Sequence, residues 1–109
     1  MAKTRQEVKK IILQFVAELQ KLGLEVSQVI LFGSYAKGRP KDYSDIDVAV
    51  VSPGFAKLDI FERQELLSRA HYNVKEPLEP IGLSPRQVRE KQGFARAVVE
   101  SGITVFKRK

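Results

Sequence analysis

The longest unbroken apolar runs in this sequence contain only four residues each, at 29–32 and 48–51, and they limit what the chain can form. A membrane-spanning helix needs about 20 consecutive apolar residues, so neither run can cross a bilayer. Both runs are rich in β-branched residues, which favour short buried strands. The sequence therefore predicts strands over residues 26–32 and 45–51 and no membrane partner.

Periodicity and turn residues divide the rest of the chain into further elements. Apolar residues recur at three- and four-residue steps over residues 3–22, which predicts an amphipathic helix ended by Gly23. The remaining predictions are a turn at 53–54, a helix over 59–72, an edge strand or irregular extended segment over 74–83, a helix over 84–101 and a strand over 103–106. This order predicts an α+β (α/β) fold, with a small sheet of about four strands packed against helices in a single domain over residues 1–109.

Five phenylalanines are expected to lie in the core: Phe15, Phe32, Phe61, Phe94 and Phe106. In the helix over 59–72, the inward positions are predicted to be Phe61, Leu66, Leu67 and Ala70. The single histidine, His71, is assigned a structural role, because a lone histidine on a helix is more often structural than catalytic.

Charge and cysteine content narrow the classes of partner and compartment. The chain carries 19 Lys and Arg against 13 Asp and Glu, a net charge of +6. This excess favours anionic partners such as nucleotides, nucleic acid or acidic protein surfaces, although many surface lysines serve solubility alone. Cysteine is absent and the first helix does not read as a secretory signal, so the predicted location is cytoplasmic.

A glycine–serine pair follows the first predicted strand. Gly33 has no Cβ, so a ligand can approach its backbone closely, and the Ser34 hydroxyl adds a donor. Free N–H groups at the start of a helical turn attract anions. The same pair also fits an ordinary strand-to-helix turn.

Two aspartates open the second predicted strand. Side chains alternate along a strand, so Asp45 and Asp47 project to the same face while Ile46 and Val48 project to the other. Two neighbouring carboxylates repel each other, and a divalent cation such as Mg²⁺ removes that cost. The alternative is an exposed strand end in which Asp45 caps a turn.

Taken together, a Gly-Ser pair, ten intervening residues and Asp-Ile-Asp before a hydrophobic strand resemble the signature of the DNA polymerase β-like nucleotidyltransferase superfamily. The motif covers residues 33–51. Its form looks most like the minimal nucleotidyltransferases, small antitoxin-type proteins encoded beside HEPN-domain partners. The resemblance implies a nucleotidyltransferase fold with a mixed sheet.

The resemblance also implies a role for each matching residue. Gly33 and Ser34 would hold the phosphates of a nucleoside triphosphate, with Lys37 balancing their charge, and Asp45 and Asp47 would bind Mg²⁺. A third carboxylate would come from a neighbouring strand, where Glu79 is the preferred residue and Glu76 the alternative. This sequence departs from the usual pattern there, because it has Glu in place of the commoner Asp and prolines on both sides.

The implied function is Mg²⁺-dependent transfer of a nucleoside monophosphate, AMP from ATP, to a hydroxyl of a cognate HEPN toxin, which makes the chain an antitoxin. The alternative is a non-catalytic, nucleotide-binding antitoxin that neutralises its partner by occlusion. A nucleic-acid binder is disfavoured, because only the net charge supports it and no recognised binding motif is present. The sequence leaves a homo-oligomer open.

Overall fold

Four strands form one mixed sheet at the centre of the structure, a computed structural model that describes residues 2–108. They are β1 (Gln28–Phe32), β2 (Ile46–Val51), β3 (Leu78–Leu83) and β4 (Ile103–Lys107). Their order across the sheet is β3–β2–β1–β4, with β1 antiparallel to both of its neighbours and β2 parallel to β3. The predicted α+β fold is confirmed, and the segment that contains Pro80 is an edge strand.

Five α-helices and one 3₁₀-helix connect and cover these strands. They are α1 (Arg5–Lys21), α2 (Gly33–Ala36), α3 (Ile60–His71), α4 (Pro85–Glu90), α5 (Phe94–Ser101) and a 3₁₀-helix over Pro53–Lys57. Capping boxes start α1 at Thr4 and α3 at Asp59, in which each cap side chain accepts a hydrogen bond from the backbone N–H three residues later. Within residues 2–108, no helix combines the length and the apolar character that crossing a membrane requires.

Alternation along the strands divides the apolar side chains between two faces of the sheet. On one face, side chains such as Val48 and Val50 pack against α1 and α3. On the other face, Ala49 and Val51 pack with Ala95 and Val98 of α5. Because both faces are covered, β2 reads as a nearly continuous apolar run after Asp47.

The prediction of one helix over 84–101 is wrong, since the segment folds as two helices. Ser84 caps α4 as expected, and its hydroxyl accepts a hydrogen bond from the Gln87 N–H. The helix then ends because Lys91 adopts a left-handed conformation (φ 49°), and Gly93 also has a positive φ (50°). This break redirects the chain so that α5 can place Ala95 and Val98 on the sheet.

Two of the five phenylalanines predicted to be buried are instead exposed. Phe61 is 82% exposed and Phe94 is 58% exposed. The inward face of α3 is formed by Leu67 and Ala70, and Phe61 lies on a different side of the helix. Phe55, from the 3₁₀-helix that continues the predicted turn, is fully buried in the main core.

We expect Phe55→Ala to lower the free energy of unfolding by about 3–5 kcal/mol, because it leaves a cavity in the core. Phe61→Ala removes the same ring from an exposed position and should change stability by less than about 0.5 kcal/mol. Urea denaturation of both variants measures the difference, and equal losses would contradict this assignment of the core.

Candidate active site

The pairing of three strands places Phe32, Asp47 and Glu79 in one row across the sheet. Phe32 at the end of β1 lies opposite Asp47, and Asp47 lies opposite Glu79 of β3. Neighbouring strands are about 4.8 Å apart, and paired residues project to the same face, so the two carboxylates are adjacent. Asp45 lies just before β2, two residues from Asp47, and its carboxylate repels that of Asp47. We call Asp45, Asp47 and Glu79 the carboxyl cluster.

The electrostatics of the cluster centre on Asp47. Burial raises the pKa of Asp47, and repulsion by the carboxylates of Glu79 and Asp45, together with a side-chain hydrogen bond to Glu79, raises it further. Asp47 is half-buried, whereas Asp45 and Glu79 are exposed. The cluster is therefore accessible from solvent, and a cation would relieve its internal repulsion.

Gly33 lies directly against the carboxyl cluster. Its φ is +74°, and a Cβ at this position would collide with the Asp47 carboxylate. Both the backbone conformation and the space therefore require glycine. Gly33, the first residue of α2, therefore lies against Asp47, the aspartate that belongs to the same sequence motif.

The other predicted nucleotide-binding residues follow on α2 and just after it. Ser34 is half-buried, and its carbonyl accepts a hydrogen bond from the Arg39 N–H at 3.0 Å. Lys37 is the C-terminal cap of α2, where its N–H donates to the Gly33 carbonyl at 3.1 Å. The Lys37 residue is exposed, so its ammonium group is free to meet a solvent-borne anion.

The structure separates the two candidates for the third carboxylate. Glu79 is paired with Asp47 across β2 and β3, and its carboxylate repels that of Asp47. Glu76 precedes β3, and its backbone carbonyl lies 2.9 Å from Nε2 of His71. The His71 ring also packs edge-on against Phe15, at 6.3 Å between centroids, as a structural role for this histidine predicts.

The acidic side chains of the site bear on how a metal ion could bind. Within the part of the chain that the structure describes, no group of three or more His, Cys, Asp or Glu side chains is arranged to hold a metal ion. Mg²⁺ is usually held by one or two carboxylates together with substrate phosphates and water, rather than by a complete protein cage. The close contact between Asp47 and Glu79 fits this second kind of site.

The sequence did not reveal that Phe94 is a neighbour of this site. Its ring meets the Phe32 ring edge-on, with centroids 5.7 Å apart, and Phe32 is paired with Asp47. A phenylalanine in an amphipathic segment predicts a core position, and only the break between α4 and α5 turns this ring toward β1. Gly93, inside the predicted helix over 84–101, is the local sequence signal that could have indicated that break.

Comparison with known proteins relates this arrangement to one family. The model of the nucleotidyltransferase domain family matches residues 9–105. Two curated relatives from Methanocaldococcus jannaschii are named as candidate protein adenylyltransferases. One is 32% identical over 63% of this chain, an alignment that spans only 49% of that relative's length. The other is 36% identical, over 67% of this chain and 84% of the relative.

Solved structures share the fold. The crystal structure of a candidate nucleotidyltransferase from Sulfolobus solfataricus is 24% identical, covers 99% of this chain and 91% of its own, and superposes with a TM-score of 0.71. The complex of a tri-AMPylated HEPN toxin from Shewanella oneidensis with its MNT antitoxin contains a chain that matches at 18% identity. That match covers 96% of this chain and 74% of the other, with a TM-score of 0.54. These neighbours have the fold that the sequence predicts.

We expect Gly33→Ala to destabilise the protein by at least about 1 kcal/mol more than Gly38→Ala. Gly38 has nearly the same φ, +72°, but a Cβ there would meet nothing within 4 Å. The two variants therefore share the backbone strain and differ in the collision with Asp47. Urea denaturation measures both, and equal losses would show that Asp47 does not crowd Gly33.

The pH dependence of stability should report the crowding of the cluster. Because the pKa of Asp47 is raised in the folded state, the folded chain binds more protons than the unfolded chain between the ordinary and the raised pKa. The contribution of Asp47 to the free energy of unfolding is therefore greatest below the ordinary aspartate pKa. It is lost as the pH rises through the raised pKa.

The corresponding variant is Asp47→Asn, which keeps the shape of the side chain and removes its charge. Above this pH window, and without divalent cations, we expect the variant to be more stable than the unaltered chain. Urea denaturation of both proteins between pH 3 and pH 8 gives their free energies of unfolding, and the difference between the two at each pH isolates the contribution of Asp47. A difference that does not change with pH would contradict the raised pKa.

Proposed function

This chain belongs to the nucleotidyltransferase domain family, as its resemblance over residues 33–51 indicated, and we propose that it transfers AMP from ATP to a hydroxyl group of a HEPN-domain partner protein. The observation that carries the proposal is the contact of Asp47 with both Glu79 and Gly33. A pair of acidic side chains against a glycine that opens a helical turn provides sites for a cation and for a phosphate next to each other.

In this proposal, residues at the start of α2 hold the triphosphate. The first N–H groups of a helix have no acceptor within the helix, so those at Gly33 and Ser34 can donate to phosphate oxygens. The Ser34 hydroxyl adds one more donor, and the exposed Lys37 ammonium offsets phosphate charge. The missing Cβ of Gly33 lets the phosphates approach the carboxyl cluster.

The carboxyl cluster is proposed to hold the cation that members of this family generally use. Asp45, Asp47 and Glu79 carry the hard oxygen ligands that Mg²⁺ takes, and burial together with their mutual repulsion raises the pKa of Asp47. Because no three acidic side chains among the described residues are arranged around one metal position, substrate phosphates and water would complete the coordination. When bound, Mg²⁺ would neutralise phosphate charge and make the acceptor hydroxyl more acidic.

The reaction follows from this placement of groups. The acceptor oxygen attacks the α-phosphorus of ATP, and a new O–P bond forms. The bond from the α-phosphorus to its bridging oxygen breaks, so that pyrophosphate leaves from the side of Gly33 and Ser34. The hydroxyl proton passes to solvent. AMP stays attached to the acceptor through a phosphodiester.

The protein acceptor is proposed from the comparisons. Two relatives are named as candidate protein adenylyltransferases, and a chain that shares the fold comes from a complex of an MNT antitoxin with a tri-AMPylated HEPN toxin. Attachment of AMP to such a toxin would make this chain an antitoxin. The competing proposal is neutralisation by occlusion alone, in which the partner binds and receives no AMP.

Incubating the chain with α-labelled ATP, Mg²⁺ and a HEPN-domain protein as acceptor tests the proposal. We expect the label to appear on the partner and to be lost when the metal is chelated. Asp47→Asn should slow transfer on the order of 100-fold or more, because it removes one charged ligand of the proposed cation.

Glu79→Gln and Glu76→Gln form a matched pair for the third carboxylate. We expect a loss on the order of 100-fold for Glu79→Gln and less than about twofold for Glu76→Gln. Equal losses of transfer rate in the two variants would show that Glu79 is not the third carboxylate of the site. Neutralisation of the partner without any label would favour occlusion over catalysis.

A further inference from the structure

A cavity of about 510 Å³ opens beside the outer edge of β3. Its walls come from the start of α3, the last residues of β3 and the turn before α5, and they include Leu58, Ile60, Arg63, Ile81 and Phe94. Most of this lining is apolar, and Ile60 and Phe94 at its mouth are 67% and 58% exposed. An open apolar cavity with exposed apolar side chains at its entrance is typical of a site that receives an apolar group.

Arg63 makes one wall of the cavity rigid. Its guanidinium donates hydrogen bonds to the carbonyl oxygens of Phe55 at 2.6 Å, Leu58 at 3.0 Å and Gly82 at 3.1 Å, and to Oε1 of Gln87 at 2.8 Å. These four acceptors are neutral, and the carboxylate of Asp59, which also lines the cavity, interacts electrostatically with the guanidinium. The charge of Arg63 is therefore partly balanced, and the apolar walls decide which kind of group the cavity can receive.

The cavity lies near the carboxyl cluster, and none of the three cluster residues forms part of its lining. Ile81 in its wall follows Glu79 by two residues on β3, which corresponds to about 7 Å along the strand. Phe94 in its wall contacts Phe32, which is paired with Asp47. A ligand in the cavity therefore lies close to the proposed reaction centre, at a distance that a few residues of an extended chain can span.

The direction of the reaction favours the acceptor, and not the nucleotide, as the occupant. In-line displacement requires the attacking oxygen and the leaving oxygen to lie on opposite sides of the phosphorus. Pyrophosphate leaves toward Gly33 and Ser34, which follow β1. The acceptor must then approach from the opposite side of Asp47, where β3 is the edge strand and the cavity opens.

We propose that this cavity anchors an apolar side chain of an extended acceptor segment of the partner protein. This inference rests on the proposed function and adds the place where the acceptor binds. An extended segment advances about 3.3 Å per residue, and the cavity begins about 7 Å from Glu79. The anchoring side chain therefore lies two to four residues from the hydroxyl that receives AMP.

The test compares Ile60→Asp with Phe61→Asp, two adjacent exposed positions at the start of α3. Only Ile60 lines the cavity, while Phe61 is 82% exposed outside it. With the HEPN-domain partner as acceptor, Ile60→Asp should raise KM for the partner about tenfold or more, because a charge replaces an apolar contact. Phe61→Asp should change that KM by less than about twofold. Urea midpoints of both variants confirm that they are folded.

Three results separate the possible failures. Equal KM values for the two variants would overturn the cavity assignment and leave the proposed function intact. A loss of ATP affinity in Ile60→Asp, measured by calorimetry with Mg²⁺-ATP, would assign the cavity to the nucleotide and overturn its role in acceptor binding. No labelling of the partner by the unaltered chain would overturn the proposed function and this inference with it.

Mapping of the modified residue gives an independent check. Mass spectrometry of the labelled partner locates the AMP-bearing hydroxyl. We expect an apolar residue of the partner two to four positions from that hydroxyl to be necessary for binding. Its replacement by Ala should raise KM for the partner about tenfold when the unaltered chain is the enzyme, and far less when Ile60→Asp is the enzyme. If the two replacements act additively, the two side chains do not meet and the proposal fails.

Discussion

The parallel pairing of β2 with β3 forces the carboxylates of Asp47 and Glu79 together, and the rest of the site depends on this contact. Burial of Asp47 and repulsion between the two carboxylates raise the pKa of Asp47, so the pair places unfavourable charge in a half-buried position. The fold tolerates this cost because the remainder of β2 is buried between two apolar layers. A cation and the phosphates that accompany it would relieve the repulsion, which couples binding to the electrostatics of the sheet.

Gly33 places the other half of the site against the same carboxylate. The end of β1 is fixed by pairing with β2, and the chain then turns into α2 with a left-handed residue at Gly33. Any larger residue would meet Asp47. The proximity of the glycine–serine turn and the aspartates is therefore a property of strand register, and the sequence spacing between them reflects the length of the connecting loop. The cavity beside β3 extends this arrangement on the side away from Gly33.

The sequence predicted the elements whose signals are local. The apolar stripe of α1, the β-branched runs of β1 and β2, and the Ser84 cap of α4 all appear within one or two residues of their expected places. The predictions failed where long-range packing decides. Phe61 is exposed because α3 turns Leu67 inward instead, and Phe55 fills the core from a segment that reads only as a turn.

The sequence by itself determined the family and the pair of motifs, since Gly33, Ser34, Asp45 and Asp47 lie at a fixed spacing around two recognisable strands. Only the tertiary structure decided that Glu79 is the acidic residue beside Asp47, because strand order and register bring together segments that are distant along the chain. It likewise decided the break before α5 that exposes Phe94. The motifs consist of residues that are close in sequence and can be recognised there, whereas these contacts join distant segments and arise from the packing of the whole sheet.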